Sequence, residues 1–216
     1  TNQRIYFSFA EKDAANAALN GTAVARAELD AAGLKLNNVT VIYQQLPKVQ
    51  STGHYGSRLV FDNSGHLFVT MGERQNPAPA QDLAVGHGKV VRITTNGDAA
   101  PGNPVVPGST VKGLWSWGHR NPQGAALHPT SGELWTNEHG PQGGDEVNRT
   151  LAGKNYGWPV ISYGQAYGTT NQFGEGTAKD DMEQPLTYWE TRDGSLYGGS
   201  GQKCSTAPSG MVFYTG

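Results

Sequence analysis

Short apolar runs recur along the chain and often alternate with polar positions. They fall at Arg4 to Phe9, Val39 to Tyr43, Arg58 to Phe61, Leu67 to Met71 and Lys89 to Ile93. Alternation of this kind turns one face of a strand toward a core. Turn residues separate the runs: Asn63-Ser64-Gly65 and Thr130-Ser131-Gly132 each sit between two of them. This is a hairpin pattern, because Gly accepts the positive φ of a tight turn. Glu11 to Leu29 is rich in alanine, as a helix would be, but Asn20-Gly21 interrupts it. Its first half reads as a loop or short helical excursion, and Thr22 to Leu29 as a strand.

The hairpins repeat. Leu59 to Thr70 aligns with Ala126 to Asn137: an apolar strand, a Ser-Gly turn, then Leu-aromatic in the return strand. Gly210-Met211-Val212-Phe213 resembles the opening of a third copy. Repeated hairpins predict an all-β fold, a β-propeller in preference to a sandwich. The turn glycines Gly65 and Gly132 lie 67 residues apart, beyond the roughly 40–50 of a minimal blade. Long loops must therefore join the strands, and loops are where sites are usually built.

Composition supports this picture and removes several functions. With 30 Gly and 12 Pro against a 36% hydrophobic content, the 216 residues suit many short elements joined by turns. That length, over 1–216, suits one medium domain or part of a larger one. A formal net charge of −2 gives no basic excess, so no nucleic-acid partner is expected. No apolar run reaches the roughly 18 residues of a membrane span. Cys204 is the only cysteine, which excludes an intrachain disulfide and a Cys-rich metal site.

Two segments carry specific chemistry: Gly118-His119-Arg120-Asn121-Pro122-Gln123-Gly124, and Glu138-His139-Gly140-Pro141-Gln142-Gly143-Gly144-Asp145-Glu146, the latter followed by Asn155-Tyr156-Gly157-Trp158-Pro159. With His54-Tyr55-Gly56-Ser57-Arg58-Leu59 upstream and Ala207-Pro208-Ser209-Gly210-Met211 downstream, the chain resembles the glucose/sorbosone dehydrogenase family, and within it the aldose sugar dehydrogenases that use pyrroloquinoline quinone (PQQ). The resemblance implies a six-bladed propeller, of which about four blades fit here, the first and last being absent. It further implies PQQ and Ca²⁺ as cofactors, an aldose substrate and an external electron acceptor. A monomer or homodimer in the periplasm or secreted is expected on the same ground.

The resemblance also assigns roles, each beside a plainer alternative. His54 is the expected general base, since imidazole titrates near working pH; otherwise it is a surface histidine beside a Gly-rich turn. Arg120 and Asn121 are the expected PQQ contacts, a guanidinium being suited to carboxylates and oxyanions; otherwise they satisfy the backbone of a turn constrained by Pro122. His119 reads as structural. Gly140 and Pro141 correspond to backbone-carbonyl ligands of the PQQ-bound calcium, and Glu146 and Tyr156 to ligands of a second calcium; oxygen donors suit this ion. An ordinary turn and a solvated acidic loop are the alternatives. Tyr167 corresponds to a PQQ-lining tyrosine, or else belongs to a blade core. Glu190 to Thr206 departs from the family pattern and reads as an inserted mobile loop that leaves sugar preference open. A non-catalytic propeller binding carbohydrate or protein, and a calcium-dependent lactonase-type propeller, are the competing functions.

Overall fold

The computed structural model describes residues 3–189 and 204–216. Among them the chain forms twelve strands and one 3-10 turn, Ala78–Ala80. The strands make three sheets. The first holds β1 (Arg4–Lys12), β2 (Asn20–Asp30) and β3 (Lys35–Gln44) in sequence order. The second runs through β4 (Leu59–Phe61), β5 (Leu67–Met71), β6 (Lys89–Ile93) and β7 (Leu114–Trp117), with the short β11 (Lys154–Asn155) added parallel to β7. The third holds β8 (Pro122–Leu127), β9 (Leu134–Glu138), β10 (Asp145–Arg149) and β12 (Thr187–Trp189). Each is an antiparallel meander apart from β11.

The second sheet is covered on both faces, which explains why β5 reads as a continuous apolar run. Leu67, Val69 and Met71 of β5, with Val91 and Ile93 of β6, pack against Val24, Ile42 and Tyr43 of the first sheet. Phe68 and Val90 point the other way, onto Ala125 and Leu134 of the third. The period-2 alternation of a strand thus serves two cores, and each fully buried aliphatic side chain contributes roughly 1.5–3 kcal/mol. Thr70 faces the third sheet, where its hydroxyl donates to the Pro122 carbonyl at 2.8 Å. Sheets stacked face to face in chain order are successive blades of a β-propeller.

Both expected hairpins form. Asp62 Oδ1 accepts the N–H groups of Ser64 and His66, each at 2.8 Å, and Gly65 takes φ +80°. Gly132 takes φ +70° in the equivalent turn. Residues 11–29 carry no helix: β1 runs on to Lys12, Asp13 caps a turn, and β2 begins at Asn20. Asn20-Gly21 lies inside the strand because a Cβ at Gly21 would meet the Gln45 carbonyl oxygen at 2.8 Å; the glycine permits close backbone approach. Three sheets form among the described residues, where the resemblance implied about four blades. Residues 204–216 run beside the third sheet, with Phe213 against Trp135 and His128, but pair in no named strand. Of the expected insertion, residues 190–203 lie outside the described residues.

Candidate active site

His54 lies in the loop before β4 and adopts φ +52°. Its carbonyl presses on Gly72, where an added Cβ would come within 2.1 Å of that oxygen. Only glycine can therefore follow β5 at this point, and the next residue is carried directly under the imidazole. That residue is Glu73, whose side chain is 2% exposed and whose carboxylate oxygens lie 2.6 and 2.8 Å from His54 Nδ1. A carboxylate at this distance takes the Nδ1–H and leaves the Nε2 lone pair as the acceptor of the neutral ring. Nε2 has no partner among the described residues, and the side chain keeps 17% of its surface accessible. A base needs this arrangement: one nitrogen held, the other open.

The Arg120–Asn121 pair, between β7 and β8, is tied to the same loop. Asn121 Oδ1 accepts the Gly56 N–H at 3.1 Å, and the Glu73 N–H donates to the Arg120 carbonyl at 2.9 Å. The guanidinium of Arg120 is mostly buried, lies 5.3 Å from the Trp158 ring centroid, and donates to the His139 carbonyl (3.1 Å) and to Tyr167 Oη (2.8 Å). A guanidinium has five N–H groups; the others have no partner among the described residues and suit an anionic ligand. Tyr167, 67% exposed, is joined to the site through Arg120 and belongs to no core. Asn121 spends its oxygen on the His54 loop, while its Nδ2 makes no hydrogen bond among the described residues.

Gly140 and Pro141 occupy the turn between β9 and β10. The Gly140 N–H donates to Asp145 Oδ1 at 2.9 Å, while neither residue's carbonyl accepts a hydrogen bond from the described residues. The backbone is tightly coiled, since a Cβ at Gly140 would meet the Gly143 and Gly144 oxygens at 2.2 and 2.5 Å. A void of about 20 Å³ opens beside it, bordered by Glu138, Gly140, Glu146 and Tyr156, room for roughly one small occupant. Burial first, then the neighbouring Glu138 carboxylate, pushes the Glu146 carboxyl up to about 8. Glu146 keeps some accessible surface, but its carboxyl is enclosed by other acidic groups. Buried carboxylates without a cation, beside carbonyls without donors, are a donor set that fits a hard divalent ion. Among the described residues no three His, Cys, Asp or Glu side chains are placed to hold a metal, so any cation here relies on backbone oxygens.

Sequence reasoning gave no role to Glu73, Glu138, His139 or Asp145. Glu73 has no local motif. Glu138 accepts the Arg120 N–H at 2.7 Å and faces His119 Nδ1 at 2.9 Å. His119, read as structural, is fully buried and stacks 4.7 Å from Tyr156. His139 donates from Nε2 to the Pro208 carbonyl at 2.8 Å, and burial holds its pKa below the ordinary value, with Arg120 and His54 adding to the effect. Asp145 gathers the Ser205 and Thr206 hydroxyls and the Ala207 N–H within 2.6–2.8 Å, returning the chain beyond 190–203 to this site. One signal was available: His54–Glu73 and His119–Glu138 share a spacing of 19 residues.

Successive face-to-face sheets, with a carboxylate-held imidazole and a mostly buried guanidinium on adjoining loops, define the class as a β-propeller. The model of the glucose/sorbosone dehydrogenase family matches residues 1–216, and the chain belongs to that family. It is 40% identical over 215 residues to the aldose sugar dehydrogenase YliI of Escherichia coli, covering 99% of this chain and 54% of that protein. The apo structure of the soluble aldose sugar dehydrogenase from Escherichia coli superposes with a TM-score of 0.86 at 39% identity, over 99% of this chain and 58% of the other. A PQQ-bound aldose sugar dehydrogenase from Streptomyces coelicolor superposes with a TM-score of 0.73 at 26% identity, over 99% and 53%. The chain thus spans about half the length of the curated relatives it matches.

Proposed function

We propose that this chain supplies the proton-transfer face of a calcium- and PQQ-dependent sugar dehydrogenase that oxidises aldoses at the anomeric carbon to aldonolactones. The observation that carries it is His54, held at Nδ1 by buried Glu73 at 2.6 Å with Nε2 free, in a chain whose relatives are named aldose sugar dehydrogenases. When bound, PQQ would supply a quinone carbon that accepts hydride, and Ca²⁺ would polarise the quinone oxygen. His54 Nε2 takes the anomeric hydroxyl proton as the C1–H pair leaves, so that the C–O bond becomes the lactone carbonyl. Glu73 stabilises the imidazolium that results. The unpartnered N–H groups of Arg120, together with Asn121 Nδ2, bind carboxylate or developing oxyanion, and the Tyr167 ring lines the exposed side. Gly140 and Pro141 offer carbonyls to the catalytic calcium, and Glu146 with the Tyr156 carbonyl to a second.

Electrons then pass to an external acceptor. No helix among the described residues is long and apolar enough to cross a membrane, and a periplasmic or secreted location stays part of this reading on the resemblance alone. The test is reconstitution of the complete protein with PQQ and Ca²⁺, followed by dye reduction with glucose and other aldoses. Turnover that needs both cofactors is expected; absence of turnover with every aldose would overturn the reading.

A further inference from the structure

We infer that Glu138 is a positioning residue that ties the main chain at Arg120 to occupancy of the cation site at Glu146 and Tyr156. This rests on the cation reading above and goes beyond it. Glu138 ends β9 and is buried, and both of its oxygens are committed. Oε2 accepts the Arg120 N–H at 2.7 Å; Oε1 faces His119 Nδ1 at 2.9 Å and accepts from Asn148 Nδ2 at 3.2 Å. The same Asn148 nitrogen also donates to Glu146 Oε2 at 3.2 Å. One amide nitrogen therefore bridges two buried carboxylates, both of which border the 20 Å³ void. The amide oxygen, Asn148 Oδ1, is buried without a partner.

The physical consequence is a short relay. Two carboxylates draw on one amide nitrogen, so neither holds it alone. A divalent cation at Glu146 and the Tyr156 carbonyl would engage the Glu146 carboxylate and leave Asn148 Nδ2 to Glu138. Glu138 is then fixed through Oε1 while its Oε2 holds the Arg120 N–H, and the backbone from which the guanidinium projects is fixed with it. Every step joins groups in hydrogen-bond contact, from Glu146 through Asn148 and Glu138 to Arg120. Because coupling between sites is reciprocal, an anion held by Arg120 strengthens cation binding in turn.

The test uses hydrogen–deuterium exchange on the complete protein without PQQ, with Ca²⁺ alone as the probe. In the wild type, Ca²⁺ should slow exchange both at 140–156 and in the segment 118–122, the latter by about fivefold or more. Asn148→Ala removes the bridge but leaves the Glu138–Arg120 contact. In that variant Ca²⁺ should still protect 140–156 while 118–122 stops responding. In Glu138→Ala, which leaves no acceptor for the Arg120 N–H, 118–122 should exchange fast whether or not Ca²⁺ is present. A wild-type calcium response at 118–122 in either variant overturns the inference, as does a wild type in which only 140–156 responds. If Ca²⁺ protects neither segment of the wild type, the cation reading itself falls and takes the relay with it. Asn148→Ala decides the matter alone if Glu138→Ala does not fold.

Discussion

Two successive blades carry the same device and use it differently. In each, a histidine meets a glutamate 19 residues later through Nδ1, at 2.6 Å for His54–Glu73 and 2.9 Å for His119–Glu138. The first imidazole keeps 17% of its side-chain surface and an open Nε2; the second is fully enclosed, its Nε2 against Ser116 Oγ at 2.8 Å. Identical local chemistry thus leaves one nitrogen open to a ligand in the first blade, where we propose a base, and closes both in a structural knot in the second. Access, not the carboxylate partner, separates the two. The largest expected effect tests this directly. His54→Ala in the complete protein should lower aldose-dependent dye reduction by about 10²–10⁴-fold, the usual contribution of a general base. Unchanged turnover would end the assignment of His54.

His119→Ala should show the converse. It removes a ring that fills buried space between Tyr156 and Glu138, and it strips a donor from an enclosed carboxylate. Breaking such a pair costs about 3–5 kcal/mol, to be read as a lower midpoint in equilibrium urea unfolding. A loss of stability no larger than that of His54→Ala would erase the distinction between the two blades.

The sequence exposes this comparison only in part. Strands were legible wherever period-2 patterning met a turn glycine, as at Leu59 to Thr70, because both signals are local. Arg120, Gly140 and Glu146 were singled out by the motifs that carry the family resemblance. Glu73 was not: its importance comes from Gly72, whose missing Cβ lets the His54 carbonyl approach, and that contact joins residues far apart in sequence. The Asn20-Gly21 break was misjudged for a related reason, since glycine there admits the Gln45 carbonyl within a strand and makes no turn. The two-residue parallel strand β11 lies beyond any local pattern, being created by a return from the third sheet to the second. Long-range close approach is what composition and periodicity leave out.

A third histidine sharpens the role of the carboxylate by lacking one. His87 is buried, and among the described residues its Nε2 has no partner and no carboxylate pairs with it. Burial pushes its imidazole down to about 4; a hydrogen bond with the Pro47 carbonyl opposes this, Lys89 and Arg74 add repulsion, and Asp82 gives slight support. The unfolded ring takes up a proton near pH 6.5, the folded one only near 4. Stability held by the neutral ring is therefore full above about pH 6.5 and drains as the pH falls toward 4, by about 3 kcal/mol at most. Urea midpoints at pH 7 and pH 4.5 should differ more in the wild type than in His87→Gln. Equal acid sensitivity in the two would show that this ring is not the one that titrates.

The smallest effect concerns what Glu73 adds once access is given. In Glu73→Gln the amide oxygen can still accept the Nδ1–H, so ring orientation survives while the negative charge that steadies the imidazolium is lost. Turnover should fall by about 10–100-fold, less than for His54→Ala, because a correctly turned base persists. Glu73→Ala removes orientation as well and should fall further, toward the His54→Ala level. The graded series is the informative result, since it separates holding the ring from charging it. Were Glu73→Gln as active as the wild type while Glu73→Ala was not, the carboxylate in this blade would act by geometry alone, and its likeness to the enclosed Glu138 would be closer than their exposures suggest.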